Sequence, residues 1–509
     1  MPSTEELQAL VAANTWSALL PEILLGVLAL ALLAVDAFAP RRQPQTLLAA
    51  MVGQAAILAW LLFAVFTAEA GEARVYFAGS VVQTALSDWM RIFFVTCSLF
   101  TTHLALVYLR NREYPRVEYI HVSLVVTASF MLLVQSGNFL LFFVALETLT
   151  IGFYVLVAFA RTSRFSLEAG LKYLVMGGFS SGILLFGIAL LYGVAGNPLL
   201  PATAVDPLNF IELGAFIGAV GIDGANAAHP LVIAGSLLVL TGVLFKVGAV
   251  PFQIWVPDVY QGAPTPTTAA LAVASKAGGF FVLFILLSGP FLALESLLFP
   301  VLAGVTAVTL VFGNIAPLGQ QNVKRIMGLS GVAHAGVLLL GMLAAYQVPW
   351  AFHAVLFYLL VYAIASFAVF EVMAHLAPDE DADQDISHYR GLLKRHPLLG
   401  SALVIGLGSL AGIPPLAGFI AKVLIFVAAF QAGLYTLLAV AILGVVISIY
   451  YYFGWMRAAV LRELVDDGES GREPLRVTIP TKVILVALAL ITVVGGIFQA
   501  GLTKLVGLS

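Results

Sequence analysis

The sequence predicts an all-α integral membrane protein of about fourteen transmembrane helices, and three observations carry the prediction. Hydrophobic residues make up 61% of the 509 and charged residues only 10%, where a soluble domain carries about 25% charged residues. The apolar residues gather, almost end to end, into segments of the length that spans a hydrocarbon layer, about 20 residues for roughly 30 Å. Lipid offers the backbone no hydrogen-bond partner, so segments of this length must close their own bonds as helices.

Taken in order, the apolar runs place helices near 18–38, 46–68, 86–109, 117–135, 139–160, 168–194, 230–260, 266–289, 296–316, 324–345, 350–376, 398–430, 434–460 and 479–505. The first follows Glu5 and Glu6 without the basic n-region and cleavage site of a secretory signal, and reads as a retained helix. The seventh and twelfth runs carry breaks. Pro251 and Pro257 interrupt the seventh, and Gly412-Ile413-Pro414-Pro415, flanked by Gly408 and Gly418, interrupts the twelfth. Proline removes a backbone donor, and such breaks at membrane depth are tolerated only inside protein or facing water. The longest polar interruptions, 195–229, 377–397 and 463–478, hold nothing that reads as a separate soluble domain.

Lysine and arginine set the orientation by clustering on the cytoplasmic side. With the N-terminus outside, the inside loops hold Arg41, Arg42, Arg110, Arg112, Arg116, Arg161, Arg164, Lys324, Arg325, Arg390, Lys394, Arg395, Arg457, Arg462, Arg472, Arg476 and Lys482. The outside segments hold Arg74, Arg91 and Lys504. The asymmetry supports both this orientation and an even number of helices. A net charge of −3 without a basic, aromatic-rich patch gives nucleic-acid binding no support. The single cysteine, Cys97, excludes an internal disulfide and a cysteine-ligated iron–sulfur cluster or zinc site within the chain, and reads as a small buried hydrophobe.

Four charges fall well inside apolar runs: Lys246 in VLFKVGAVPF, Lys276 in AVASKAGGFF, Lys422 in GFIAKVLIFV and Glu147 in FFVALETLTIGFY. A central lysine costs about 2.5 to 3.5 kcal/mol on insertion scales, so an uncompensated set would be expensive. The charges could simply pair and fix helix register. One glutamate cannot neutralise three lysines, however, and a hydrated interior in which buried amines give up and regain protons accounts for all four. Two of the lysines also lie beside the helix breaks, the arrangement that ion-translocating membrane proteins use. Lys172, one turn after Glu168, reads as structural; Glu22, Asp36, Asp88, Glu118 and Glu371 lie near helix ends and read as interfacial.

The same features recur. Helices four to eight carry Glu147 on the second member, a broken fourth member with Lys246, and Lys276 on the fifth. Helices nine to thirteen carry His334 on the second, a broken fourth with Lys422, and Tyr450, Tyr451 and Tyr452 near the fifth. Successive five-helix units have opposite orientations, so the reading is two inverted repeats. The divisions are 1–116 for three N-terminal helices, 117–290 and 291–462 for the repeats, and 463–509 for an inner loop and a final helix. His334, in SGVAHAGV, is placed to bridge the halves as a neutral proton acceptor or to be a packed, hydrogen-bonded histidine. His103, His121 and His353 read as structural.

The stretches LKYLVMGGFSSGILLFGIALLYG, VPFQIWVPDVYQGAPTPTTAALAVASKAGGF, NVKRIMGLSGVAHAGVLLLG and GIPPLAGFIAK resemble the antiporter-like N-type subunits of proton-translocating NADH–quinone oxidoreductase (complex I), equivalent to mitochondrial subunit 2. The resemblance runs from about residue 118 to 457. It implies fourteen helices in two inverted repeats, broken helices seven and twelve, and a hydrated charge axis halfway across the membrane, while the Ala- and Gly-rich composition favours a bacterial plasma membrane. It further implies that Glu147 is the acidic partner of Lys246, Lys276 the central relay and Lys422 the terminal lysine. NADH, FMN, iron–sulfur clusters and quinone would sit in partner subunits, with the antiporter-like M-type subunit and small hydrophobic subunits as neighbours. M-type subunits carry glutamate at the position of Lys422, and L-type subunits are longer and end in a lateral helix absent here. The alternative is the D-type subunit of the Mrp cation/proton antiporters, which also carries lysine there; GAPTPTTAALAVASK looks more like the N type.

Overall fold

The computed structural model describes residues 15–39, 43–67, 73–200, 204–220, 229–461 and 477–498. Glu5, Glu6, Arg41, Arg42, Arg462, Arg472, Arg476, Lys504 and nearly all of the loop 463–478 lie outside the described residues. The helices are α1 (Leu20–Phe38), α2 (Gln43–Thr67), α3 (Ala85–Tyr108), α4 (Arg116–Leu133), α5 (Phe139–Val157), α6 (Arg164–Ala195), α7 (Phe210–Val220), α8 (His229–Val247), α9 (Val256–Gly262), α10 (Thr265–Ala270), α11 (Lys276–Ser288), α12 (Glu295–Ile315), α13 (Val323–Ala345), α14 (Ala351–Leu376), α15 (Pro397–Ala411), α16 (Ala417–Gln431), α17 (Tyr435–Val460) and α18 (Ile479–Ile497). A π-helical turn, Leu271–Ser275, joins α10 to α11 in one continuous passage.

Among the described residues, thirteen helices are long and apolar enough to cross a membrane. The remaining passage is made by two half-helices of 15 residues each, α15 and α16. Together they give the fourteen that the apolar runs predict, with breaks in the seventh and twelfth. Local chemistry sets the helix starts. Asn138 caps α5 by accepting from Leu141 N, Asn322 caps α13 by accepting from Lys324 N and Arg325 N, and Thr84 with Ser87 forms a reciprocal capping box on α3.

Among the elements that went unseen in the sequence are a hairpin and a short helix. A short antiparallel hairpin pairs β1 (Arg74–Tyr76) with β2 (Val81–Gln83) before α3. The interruption 195–229 contains α7, whose 11 residues reach roughly 16 Å at 1.5 Å per residue and so cannot span the bilayer.

The chain forms two compact units, the first comprising 1–159, 171–246 and 278–298, the second 160–170, 247–277 and 299–509. In the first, the Arg91 guanidinium reaches both oxygens of Glu22 at 2.8 and 2.9 Å and Asp88 at 3.2 Å, while Gln135 donates to Glu22 at 2.7 Å. Glu22 and Asp88, expected to be interfacial, are therefore buried in protein and paired. In the second unit, α15 ends in a Schellman motif. Gly412, at φ +82°, donates to Ser409 O and Ile413 donates to Gly408 O, each at 3.0 Å. Gly418 then lets α16 lie against that end, since a Cβ there would collide with Ser409 O. The final helix α18 packs on the same break: a Cβ on Gly496 would collide with Pro415 O.

Candidate functional site

In the first unit, α5 presents Glu147 and Thr150, three residues apart and so on one face. The Glu147 carboxylate accepts from Ser181 Oγ on α6 at 2.5 Å. Lys246, in the last turn of α8, donates to Thr150 Oγ1. The two groups that the sequence pairs by charge thus each hold a hydroxyl, and both hydroxyls escaped the sequence reading. Thr150 could have been found, because it lies one turn from Glu147 in an otherwise apolar helix.

In the second unit, the Lys276 amine is buried and donates to two backbone carbonyls, Val247 O at 3.1 Å and Gly331 O at 2.9 Å. Val247 closes α8, and Gly248 beyond it takes φ +73° as the broken passage begins. Lys422 repeats the arrangement. Its amine donates to Leu410 O at 2.8 Å and Ala411 O at 2.9 Å, the last carbonyls of α15. Such carbonyls carry the negative end of the helix dipole and favour a cation. Lys246 precedes its break and Lys422 follows its own, yet both stand at the C-terminal end of the first half-helix. Neither Lys276 nor Lys422 has a carboxylate within ion-pairing distance among the described residues.

His334, on α13 one turn beyond Gly331, is buried between two tyrosines. Nδ1 lies 2.7 Å from the Tyr358 hydroxyl on α14, and Nε2 lies 3.1 Å from the Tyr452 hydroxyl on α17. A small cavity adjoins it, lined by His334, Tyr358, Tyr362, Ser409 and Lys422 among others. The structure therefore brings His334 and Lys422 to one small cavity, while Lys276 bonds Gly331 O on the same helix as His334.

The sequence also missed Lys324. Counted with the inner-loop charges, it is fully buried. Its amine donates to Asp381 at 2.8 Å and to Ala263 O at 2.5 Å. Asp381 also accepts from Thr265 N and Thr265 Oγ1, each at 2.8 Å, and from Gln384 Nε2 at 2.5 Å, so its carboxylate fastens the start of α10. Tyr389 donates to Gln384 at 2.7 Å, and burial, aided by the Asp381 charge, pushes its phenol well above the usual range, which keeps it a donor.

A family model described as NADH:quinone oxidoreductase/Mrp antiporter, transmembrane, matches residues 136–448. NADH-quinone oxidoreductase subunit N 1 of Opitutus terrae is 51% identical over 493 residues, covering 96% of each chain. Subunit N of Salinibacter ruber is 36% identical over 423 residues, covering 82% of this chain and 81% of its own. Among solved structures, a chain of respiratory complex I from Thermus thermophilus, a complex with bound aureothin, superposes with a TM-score of 0.76 at 29% identity, covering 95% of this chain and 98% of that one. A chain of the Mrp complex from Dietzia sp. DQ12-45-1b superposes with a TM-score of 0.79 at 21% identity, covering 96% of each, a likeness of fold alone.

Proposed function

The chain belongs to the NADH:quinone oxidoreductase/Mrp antiporter family, in its subunit N branch, and from that premise we propose that Glu147, Lys246, Lys276, His334 and Lys422 form its proton path. It is a multi-pass protein of a bacterial plasma membrane, placed among the other membrane subunits of the oxidoreductase. The redox reaction belongs to the whole complex. With Cys97 as its one cysteine, this chain cannot ligate an iron–sulfur cluster alone, and NADH, FMN, the clusters and quinone are assigned to partner subunits.

The observation that carries the reading is the solvation of Lys276 and Lys422 by main-chain carbonyls rather than carboxylates. A buried amine held by an ionised partner is fixed in charge. One held by dipoles can release its proton to a neighbour and take another without orphaning a counter-ion. Quinone reduction elsewhere in the complex changes the charge beside Glu147 and Lys246. The Lys246 amine then exchanges its proton, and the transfer passes through Lys276 and His334 to Lys422 and outward. The repeats 117–290 and 291–462 belong to the same reading, each with a lysine at a break introduced by a glycine of positive φ, Gly248 and Gly412.

Glu147→Gln and Lys246→Ala should each lower proton translocation and quinone reduction together, measured in inverted membrane vesicles. Wild-type rates of both processes in both variants would overturn the role of this pair. The Mrp-type reading shares the fold; the 51% identity to an N-type subunit weighs against it.

A further inference from the structure

We propose that Tyr358 and Tyr452 are catalytic residues that make His334 a neutral relay with two ports, passing one proton per cycle from hydroxyl to hydroxyl through the imidazole. The inference rests on the assignment of His334 to the proton path and specifies its chemistry.

The geometry supplies each requirement. A neutral imidazole has one N–H donor and one bare nitrogen, and a phenol can donate or accept. Both ring nitrogens of His334 are engaged by phenols, at 2.7 and 3.1 Å, from two different helices. One tyrosine must therefore donate to the ring while the ring donates to the other, so the three groups form a directed chain. The Tyr362 ring lies 4.8 Å from the imidazole and the Tyr451 ring 4.6 Å from that of Tyr452, so the chain is walled by further aromatics. Tyr358 lines the same cavity as Lys422, which gives the chain its continuation.

With Tyr452 donating to Nε2, a proton arriving on the Tyr452 oxygen releases that group's own O–H proton to Nε2. The Nδ1–H proton moves to the Tyr358 oxygen, and the original Tyr358 proton leaves toward the cavity. Each of the three groups forms one bond to hydrogen and breaks one, so none retains a charge. The chain then points the other way, with Nε2–H donating to Tyr452, and a second proton in the same direction must wait until the ring and hydroxyls reset. A packed histidine without this role would use its two tyrosines only to hold the ring.

The test uses the whole complex in inverted vesicles, with proton translocation normalised to assembled complex. Tyr358→Phe and Tyr452→Phe should each lower normalised translocation about a hundredfold, the lower end of what a positioned acid–base group contributes. Tyr450→Phe, whose parent side chain is 71% exposed, should leave it unchanged. A purely structural role would reduce the amount of assembled complex and leave the normalised value intact, and that result would overturn the proposal. Loss of translocation in His334→Ala with wild-type values in both phenylalanine variants would remove the tyrosines from the path and keep the histidine. Wild-type translocation in His334→Ala would remove all three.

Discussion

Replacing Lys422 with alanine should bring proton translocation by the assembled complex to background while leaving the subunit folded. The substitution deletes the proton-bearing amine from the cavity it shares with His334. It leaves behind only Leu410 O and Ala411 O, carbonyls at the end of α15. Losing two hydrogen bonds from a charged donor costs about 1.5 to 3 kcal/mol apiece at most, and no buried carboxylate is stranded. Lys422→Arg should not restore function: the lysine stem lies 2.8 Å from the site a Gly412 Cβ would occupy, leaving little room for a planar guanidinium that also holds its proton permanently. Dye-detected acidification of inverted vesicles, normalised to immunoblotted complex, checks both variants. Near-normal pumping by Lys422→Ala would take the terminal lysine out of the path.

Lys324→Ala should do the opposite, destabilising the protein severely. Here the amine does have a carboxylate partner, and removing one member of a buried pair typically costs about 3 to 5 kcal/mol because the other is left uncompensated. Asp381→Ala should cost a similar amount, since it strands a fully buried ammonium and frees Thr265 at the start of α10. The double variant Lys324→Met/Asp381→Leu should lose much less than the two single losses combined. Thermal unfolding of the purified complex, followed at this subunit by limited proteolysis, measures all three; additive losses would show that the pair is not coupled. α10 runs on through the π turn into Lys276, so the single variants should also slow proton transfer in whatever complex survives.

The contrast between these two lysines explains what the sequence could and could not reveal. Lys422 announces itself, because a charge among GFIAKVLIFV has no benign reading. Lys324 hides, because it sits beside Arg325 at a helix start, where a basic doublet looks like an ordinary inner-loop signal. Successive residues on a helix point about 100° apart, so the doublet splits: Lys324 turns inward to Asp381, and Arg325 turns to Asp258 at 2.8 Å. The fourteen membrane passages were legible from segment length alone, and the two breaks from proline and glycine. The hairpin and α7 were not, being short elements in polar stretches with no strong periodicity. Nor were the hydroxyls of Ser181, Thr150 and Tyr358. A threonine or tyrosine within an apolar helix is equally at home facing lipid or facing the interior, and only the neighbouring helices decide. The tyrosine run shows this directly: Tyr452 bonds His334, while Tyr450, two residues away, is largely exposed.

The packing of α18 on the break between α15 and α16 has a consequence for biogenesis. A ribosome delivers the passages in order, so both half-helices and Lys422 enter the bilayer before the helix that covers them. Until Gly496 settles against Pro415, with no room there even for a methyl group, the chain has Lys422 and both half-helices in place but not the helix that packs on the break between them. A nascent chain released just short of α18 would therefore leave the Pro415 end of the break uncovered rather than merely being a shorter subunit. Completion of translation is thus the step that lets this break pack.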